Sequence, residues 1–251
     1  RQRVLATQNE LYAIDEDDSS TVIKFSMPFL SPSPITSLSL IEGGQDGSNR
    51  FIIKNAAQEL FLWESVAKPI RKLTQNIKFE HIQNPVVTLN QIGNRAYIVT
   101  QGNGKIYVID ENKSVKKGFP IDILSRTISP FTWIQNPNSG QAEIVGVSAS
   151  GELIKVSLDG KILSRRQLLR PEPGSEFQIK FDQNSMDWII IRTSSSHASI
   201  ISKDGDEIFT IKDIKPNVKV NYHFFGIDNR FISVQSGNYS TIFDMSGKRL
   251  G

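Results

Sequence analysis

The sequence predicts an all-β protein built from repeated antiparallel sheets, and three observations support this prediction. A short apolar strand recurs along the chain, at residues 10–15, 59–64, 105–110, 152–157, 198–203 and 240–245, and its copies begin 49, 46, 47, 46 and 42 residues apart. Glycine, asparagine and aspartate punctuate the segments between strands, as hairpin turns require. A proline also stands just before most of the predicted inner strands. A period in the forties made of short strands and turns is typical of a β-propeller, with one blade per repeat.

Residues 85–120 show how one blade is predicted. Turn signals at Gly93-Asn94 and at residues 101–104 divide this stretch. The division leaves four predicted strands, at residues 86–92, 95–100, 105–110 and 115–117. Four antiparallel strands make one blade, and its inner strands are apolar on both faces because each blade packs between two neighbours.

The strand count predicts six blades, of which the first is incomplete. Five inner strands are expected, at residues 35–41, 86–92, 131–134, 177–181 and 218–222, but six sets of the remaining strands are present. We therefore predict that residues 1–251 form a single propeller domain of about six four-stranded blades, the first lacking its inner strand. A seven-bladed ring is the alternative. Because the chain starts at Arg1 rather than at Met, we also expect it to be a piece of a longer protein.

The composition excludes several classes of protein. The net charge is +3, from 29 basic and 26 acidic side chains, which is too small and too scattered to indicate a nucleic-acid partner. No apolar run approaches the roughly 18 residues that suggest a membrane-spanning helix. The chain contains no cysteine, so disulfides, thiolate metal ligands and cysteine nucleophiles are excluded.

No group of residues in the sequence predicts a catalytic, cofactor-binding or metal site. His81, His197 and His223 are isolated from one another and from carboxylates at metal-ligand spacing. Residues 194–197 place serines beside His197, but they occupy the hairpin position of the repeat, and a triad needs partners from separate segments. The acidic run at residues 15–18 lacks the alternating ligands and the glycine of a calcium loop. We predict no catalytic residue and no cofactor.

Two long connections predict a partner-binding rim. Residues 27–34 and 168–175 each join the outer strand of one blade to the inner strand of the next, and such connections gather on one rim of a propeller. We expect their apolar side chains to be exposed and to form a contact patch. The predicted rim residues are Phe29, Leu30, Leu168 and Leu169.

The repeat at residues 104–112, followed by Gly118-Phe119-Pro120, resembles the quinoprotein-like and FG-GAP-like propeller repeats of bacterial exported proteins. Residues 134–145 with 150–153, and residues 40–52, are similar to the same repeat. The resemblance implies the propeller fold and export. The loops at 42–46 and 135–139 carry too few carboxylates for the family's calcium motif. The docking tryptophan of quinone-dependent relatives is also missing after Gly118 and Gly160, so the resemblance does not imply calcium or a quinone.

The sequence therefore predicts a non-catalytic binding or scaffold module of a larger exported bacterial protein, located in the periplasm or at the cell surface. We expect it to contact a protein or a glycan through one rim. A quinone-dependent or glycan-cleaving enzyme, with a site at the central channel, is the alternative. Two carboxylates with His or Arg at the channel mouth would favour that enzyme. A propeller of the WD type is disfavoured because its Gly-His and Trp-Asp pairs are absent.

Overall fold

The computed structural model describes residues 2–15, 22–24, 31–41, 50–63, 70–91, 94–135, 140–168, 170–182, 187–214, 218–225 and 229–251. Across these residues, 22 strands form six antiparallel sheets that follow one another along the chain. The same residues contain no helix, so none of them forms a helix that is long and apolar enough to cross a membrane. The predicted all-β propeller is confirmed.

Each sheet is formed by strands that are consecutive in sequence. The first contains β1 (Gln2–Ala6), β2 (Leu11–Asp15) and β3 (Val22–Lys24). The second contains β4 (Ile35–Ile41), β5 (Arg50–Asn55), β6 (Leu60–Trp63) and β7 (Arg71–Lys72). The third contains β8 (Val87–Gln91), β9 (Asn94–Thr100), β10 (Lys105–Asp110) and β11 (Ile121–Asp122).

The remaining three sheets repeat this meander. The fourth contains β12 (Thr132–Gln135), β13 (Ala142–Val147), β14 (Glu152–Ser157) and β15 (Ile162–Gln167). The fifth contains β16 (Glu176–Asp182), β17 (Asp187–Thr193), β18 (His197–Ser202) and β19 (Glu207–Lys212). The sixth contains β20 (Lys219–Phe225), β21 (Asn229–Ser236) and β22 (Tyr239–Asp244), and a bridge between Phe243 and Arg249 adds the edge of a fourth strand.

The predicted blade count agrees with these sheets. The five predicted inner strands are β4, β8, β12, β16 and β20, each at the start of its sheet. Within the described residues the first sheet has no such strand and begins at β1, as the strand count predicts. The structure thus contains six blades, and we number them in chain order.

One turn geometry recurs in the hairpins. Between β9 and β10 the N–H of Gln101 donates to the carbonyl of Lys105 at 2.9 Å, and the N–H of Gly104 donates to the carbonyl of Gln101 at 2.9 Å. The fourth residue of the turn adopts a positive φ, +93° at Gly104. This is the three-residue hairpin loop that requires one left-handed residue, which explains the recurring glycine. The equivalent positions with positive φ in other hairpins are Gln58, Lys113, Gly151, Gly160, Gly205 and Gly247.

The core lies between neighbouring blades. Five clusters of buried apolar side chains join consecutive blades from the first to the sixth. Trp63 is 3% exposed in the cluster between blades 1 and 2, and Trp188 lies in the cluster between blades 4 and 5. Trp133 is partly buried, and its indole N–H donates to the carbonyl of Thr88 in blade 3 at 2.8 Å. All three tryptophans therefore contribute to the packing between blades.

Two glycines allow blades 3 and 4 to touch through their backbones. A Cβ atom added at Gly118 would lie 2.1 Å from the carbonyl oxygen of Asp159, and one added at Gly160 would lie 2.2 Å from the carbonyl oxygen of Gly118. Both glycines also adopt positive φ. Only glycine fits this contact, because any side chain would overlap the backbone of the other blade.

We predict that Gly118→Ala lowers the free energy of unfolding more than Gly174→Ala does. Both glycines have positive φ, at +92° and +79°, so the conformational cost of alanine is similar. A Cβ at Gly174 has no atom within 4 Å, whereas at Gly118 it overlaps blade 4. The excess loss should be about 1–3 kcal/mol, the range for overpacking. Urea unfolding measures it, and equal losses in both variants would mean that this contact is not tight.

A second prediction concerns Glu59, whose carboxylate is 2.6 Å from Lys72 Nζ and 2.9 Å from Asn55 Nδ2. Hydrogen bonds from Lys72 and from Asn55 hold its pKa below the ordinary value near 4.5. A folded pKa below the unfolded value gives stability that is present above about pH 4.5 and is lost as the pH falls through the folded value.

Glu59→Gln should therefore lower the unfolding free energy at pH 7 by less than about 1 kcal/mol, since the pair is partly exposed. The difference from the natural sequence should shrink as the pH falls below 4.5. Denaturant melts at several pH values measure it. The control is Glu80→Gln, at an exposed residue without an ion pair in the described part of the chain. A pH-independent effect of Glu59→Gln would contradict the prediction.

Candidate functional site

Within the described residues, the connections between blades lie on one side of the propeller. The N–H of Thr127 donates to the carbonyl of Gly102 at 3.1 Å, and the N–H of Ala149 donates to the carbonyl of Arg126 at 2.7 Å. The connection at residues 123–131 is therefore fixed between the hairpins of blades 3 and 4. The other connections bond to hairpins in the same way, through the pairs Ile35–Gln8, Ala56–Pro34, Gly102–His81, Leu168–Gly151 and Ile214–Ser196. We call this side, with its connections and hairpins, the connection face.

Of the four predicted rim residues, Leu168 is within the described part of the chain. Phe29, Leu30 and Leu169 lie outside the described residues. Leu168 is 5% exposed and belongs to the core between blades 4 and 5, so the prediction that its side chain is exposed is wrong. Its N–H donates to the carbonyl of Gly151, which turns the side chain into the cluster that also contains Phe177.

Two apolar residues that the sequence analysis did not single out are exposed on the connection face. Leu124 is 86% exposed and Ile128 is 38% exposed, both within the connection from blade 3 to blade 4. Leu124 also has a φ of +55°, which is uncommon for a residue with a side chain. The carboxylate of Asp122 accepts the N–H of Leu124 at 2.8 Å and holds this turn. The turn thus presents a large apolar side chain to solvent at a conformational cost.

A cavity of about 620 Å³ opens beside Ile128, where three inner strands begin. Its walls come from residues 82–87 of blade 3, residues 128–132 of blade 4 and residues 176–180 of blade 5. We call it the inner-strand cavity. Half of its lining residues are apolar, including two prolines, and the other half are polar.

Some polar side chains of the inner-strand cavity serve the fold. Gln83 Nε2 donates to the carbonyl of Thr127 at 3.1 Å, and Ser129 Oγ accepts the N–H of Phe177 at 3.0 Å. These bonds tie each connection to the next blade. Gln83 and Ser129 therefore fix the position of the cavity walls.

Lys180 differs from these groups. It lines the cavity from β16, and its side chain makes no hydrogen bond or ion pair within the described part of the chain. Burial lowers its pKa, because the ammonium group is poorly solvated there. Glu176, at the start of the same strand, is exposed. The cavity thus presents one ammonium group that has no protein partner among these residues.

The serine and histidine pair at residues 194–197 forms a turn, as the repeat pattern predicts. Ser194 Oγ is 3.0 Å from Nδ1 of His197 and accepts the His197 backbone N–H at 3.3 Å. Glu172 Oε2 lies 3.9 Å from the same Nδ1 atom. A catalytic triad needs the hydroxyl and the carboxylate on different ring nitrogens, so this arrangement is not a triad.

The other two histidines are separate from this turn. His81 lies in a connection, where its carbonyl accepts the N–H of Gly102 at 2.9 Å. His223 Nε2 is 2.6 Å from Ser233 Oγ on the neighbouring strand. Among the described residues, no three His, Asp or Glu side chains are grouped so that they could hold a metal ion. Of the acidic run at 15–18, only Asp15 is described, at the end of β2.

A second groove, of about 940 Å³, lies between blades 3 and 4 on the side opposite the connection face. Its walls include Lys116, Lys117, Asp159 and Leu163. Asp159 is already paired with Lys161 at 3.1 Å on the surface. The groove runs along the contact of Gly118 with Gly160 and is bordered by the outer strand β15.

No protein-family model matches the chain, and neither does any curated protein sequence. Solved structures do match it. BBS1N in complex with ARL6DN, from mercury-soaked and lead-soaked crystals, has TM-scores of 0.60 and 0.61 at 11% and 10% sequence identity. These matches cover 98% and 99% of this chain and 72% and 74% of that chain. BamB from Moraxella catarrhalis has a TM-score of 0.53 at 11% identity, covering 99% of this chain and 86% of that chain. At such low identity the likeness shows one thing, that this chain has the fold of these β-propellers.

Proposed function

We propose that this chain is a non-catalytic binding module that holds a partner protein against its connection face. The observation that carries the proposal is the position of the inner-strand cavity beside the exposed side chains of Leu124 and Ile128. Burying apolar surface gains about 25 cal/mol per Å². A strained turn that holds a leucine in water suggests a residue kept for contact rather than for folding.

The solved structures support this class of function by precedent. BBS1N was crystallised in complex with ARL6DN, so a protein of this fold does bind a protein partner. The precedent concerns that protein and its own interface. A glycan is the other ligand left open by the sequence.

The enzyme alternative is not favoured by the inner-strand cavity. An enzyme of the quinone-dependent or glycan-cleaving kind would be favoured by two carboxylates together with His or Arg at the mouth of the central channel. Among the described lining residues, Glu176 is the one carboxylate and Lys180 is the one basic side chain. A non-catalytic role therefore accounts for the described lining more simply.

Export to the periplasm or the cell surface is part of the proposal, as is the binding module's place in a larger bacterial protein. The proposal of export rests on the resemblance of the repeats at residues 104–112 and 118–120 to those of exported propellers. Fractionation of cells that produce the natural protein tests it. Recovery in the cytosolic fraction would contradict export and would leave the binding role unaffected.

We predict that the double variant Leu124→Ser, Ile128→Ser loses partner binding by about 10-fold or more, since buried apolar anchors dominate interface energies. The matched control is Ile162→Ser, Leu163→Ser on β15, whose side chains are 41% and 51% exposed on a different surface. Quantitative affinity capture from extracts of the source cells, with both variants checked for folding by thermal melting, measures the effect.

Retention of all partners by the double variant would contradict the proposed interface. Loss in the β15 control alone would identify the groove between blades 3 and 4 as the binding surface instead. Capture of glycans rather than proteins, with the same dependence on Leu124 and Ile128, would keep the face but change the ligand.

A further inference from the structure

The charge on the walls of the inner-strand cavity is distributed unevenly along β16. Glu176 and Lys180 both line the cavity, but they are four positions apart on the strand, a backbone distance of about 13 Å. Glu176 is exposed, whereas burial lowers the pKa of Lys180. Glu176 thus lines an exposed part of the cavity wall, whereas Lys180 lines a part that is partly buried.

A partly buried ammonium group without a partner is costly, and three other buried or partly buried cations of the described residues each have a contact. Lys54 Nζ donates to the carbonyl of Ile82 at 3.3 Å, and Arg192 donates to Ser199 Oγ at 2.9 Å. Lys155 lies 5.3 Å from the ring centre of Trp188. Lys180 has no comparable contact in the described part of the chain. A ligand that enters the cavity can supply the partner that the Lys180 ammonium group lacks.

We propose that the inner-strand cavity binds an acidic side chain of the partner protein, with its carboxylate hydrogen-bonded to Lys180. The inference rests on the proposed function and names the chemistry of its partner. A carboxylate is the complement of an ammonium group, and the bond between them is strengthened by the low solvation of the site. The cavity volume of about 620 Å³ accommodates a short peptide segment rather than a single ion.

The walls of the cavity set the neighbours of that acidic residue. The apolar part of the lining includes Ile82, Pro85, Ile128, Pro130 and Ile179. Apolar residues beside the acidic one would bury against these walls. Glu176 on the exposed part of the wall disfavours a second acidic residue there, because like charges repel. The cavity therefore selects one acidic residue with apolar neighbours over a run of acidic residues.

The test uses a displayed library of random peptides, selected on the whole chain. We expect the recovered peptides to share one Asp or Glu beside apolar residues. For the best peptide, calorimetry then measures four affinities, with the natural chain or Lys180→Met, and with the acidic residue or its amide. Each single change should weaken binding by about 10-fold to 100-fold, and the second change should add little once the first is made. Lys180→Arg should retain part of the affinity.

Lys117→Met, at an exposed lysine in the groove on the opposite face, is the matched control and should leave the affinity unchanged. If Lys180→Met does not fold, comparing the acidic peptide with its amide on the natural chain still tests whether binding depends on the carboxylate. Peptides without an acidic residue, equal affinity for acid and amide, or a selection without binders would each overturn the inference. In that case, if partner capture still depended on Leu124 and Ile128, the proposed binding function would stand without the site for an acidic residue.

Discussion

Two-sided burial of each sheet is the constraint on which the rest of this structure depends. In β17, Ile190 packs toward blade 4 and Ile191 packs toward blade 6, and both are fully buried. A sheet with two apolar faces is unstable unless both are covered, so each blade requires its neighbours. The close backbone contact of Gly118 with Gly160 is one consequence, because blades that share a core must also meet at their edges.

The same constraint places the connection face. A connection has to leave one sheet and enter the next while its backbone groups remain hydrogen-bonded. The connection at residues 123–131 meets this need by bonding to the hairpins of blades 3 and 4. Its position is therefore fixed by two blades at once. The inner-strand cavity, whose walls come from three blades, is accordingly part of the rigid framework rather than a feature of one loop.

Local signals in the sequence are enough to predict the strands, but they do not predict exposure. The inner strand predicted at 35–41 is β4 itself, because Pro34 and the turn residues that bound it act locally. Ile123 and Leu124 look alike in sequence, yet the first is fully buried and the second is 86% exposed. Leu168 was expected to be exposed and is buried, since packing against another blade decides it. Contacts between blades cannot be predicted from the sequence of a single repeat.

Two residues that depart from local rules, Leu124 and Lys180, lie in neighbouring parts of the structure. Leu124 combines a positive φ with an exposed apolar side chain, and Lys180 combines partial burial with the lack of a described partner. Both belong to the connection face or to its cavity. Lys54, by contrast, donates to the carbonyl of Ile82, a residue of the same cavity wall. Departures from consistent design are expected where selection acts on binding rather than on folding. The proximity of Leu124 to the inner-strand cavity supports the proposal that a partner binds at the connection face.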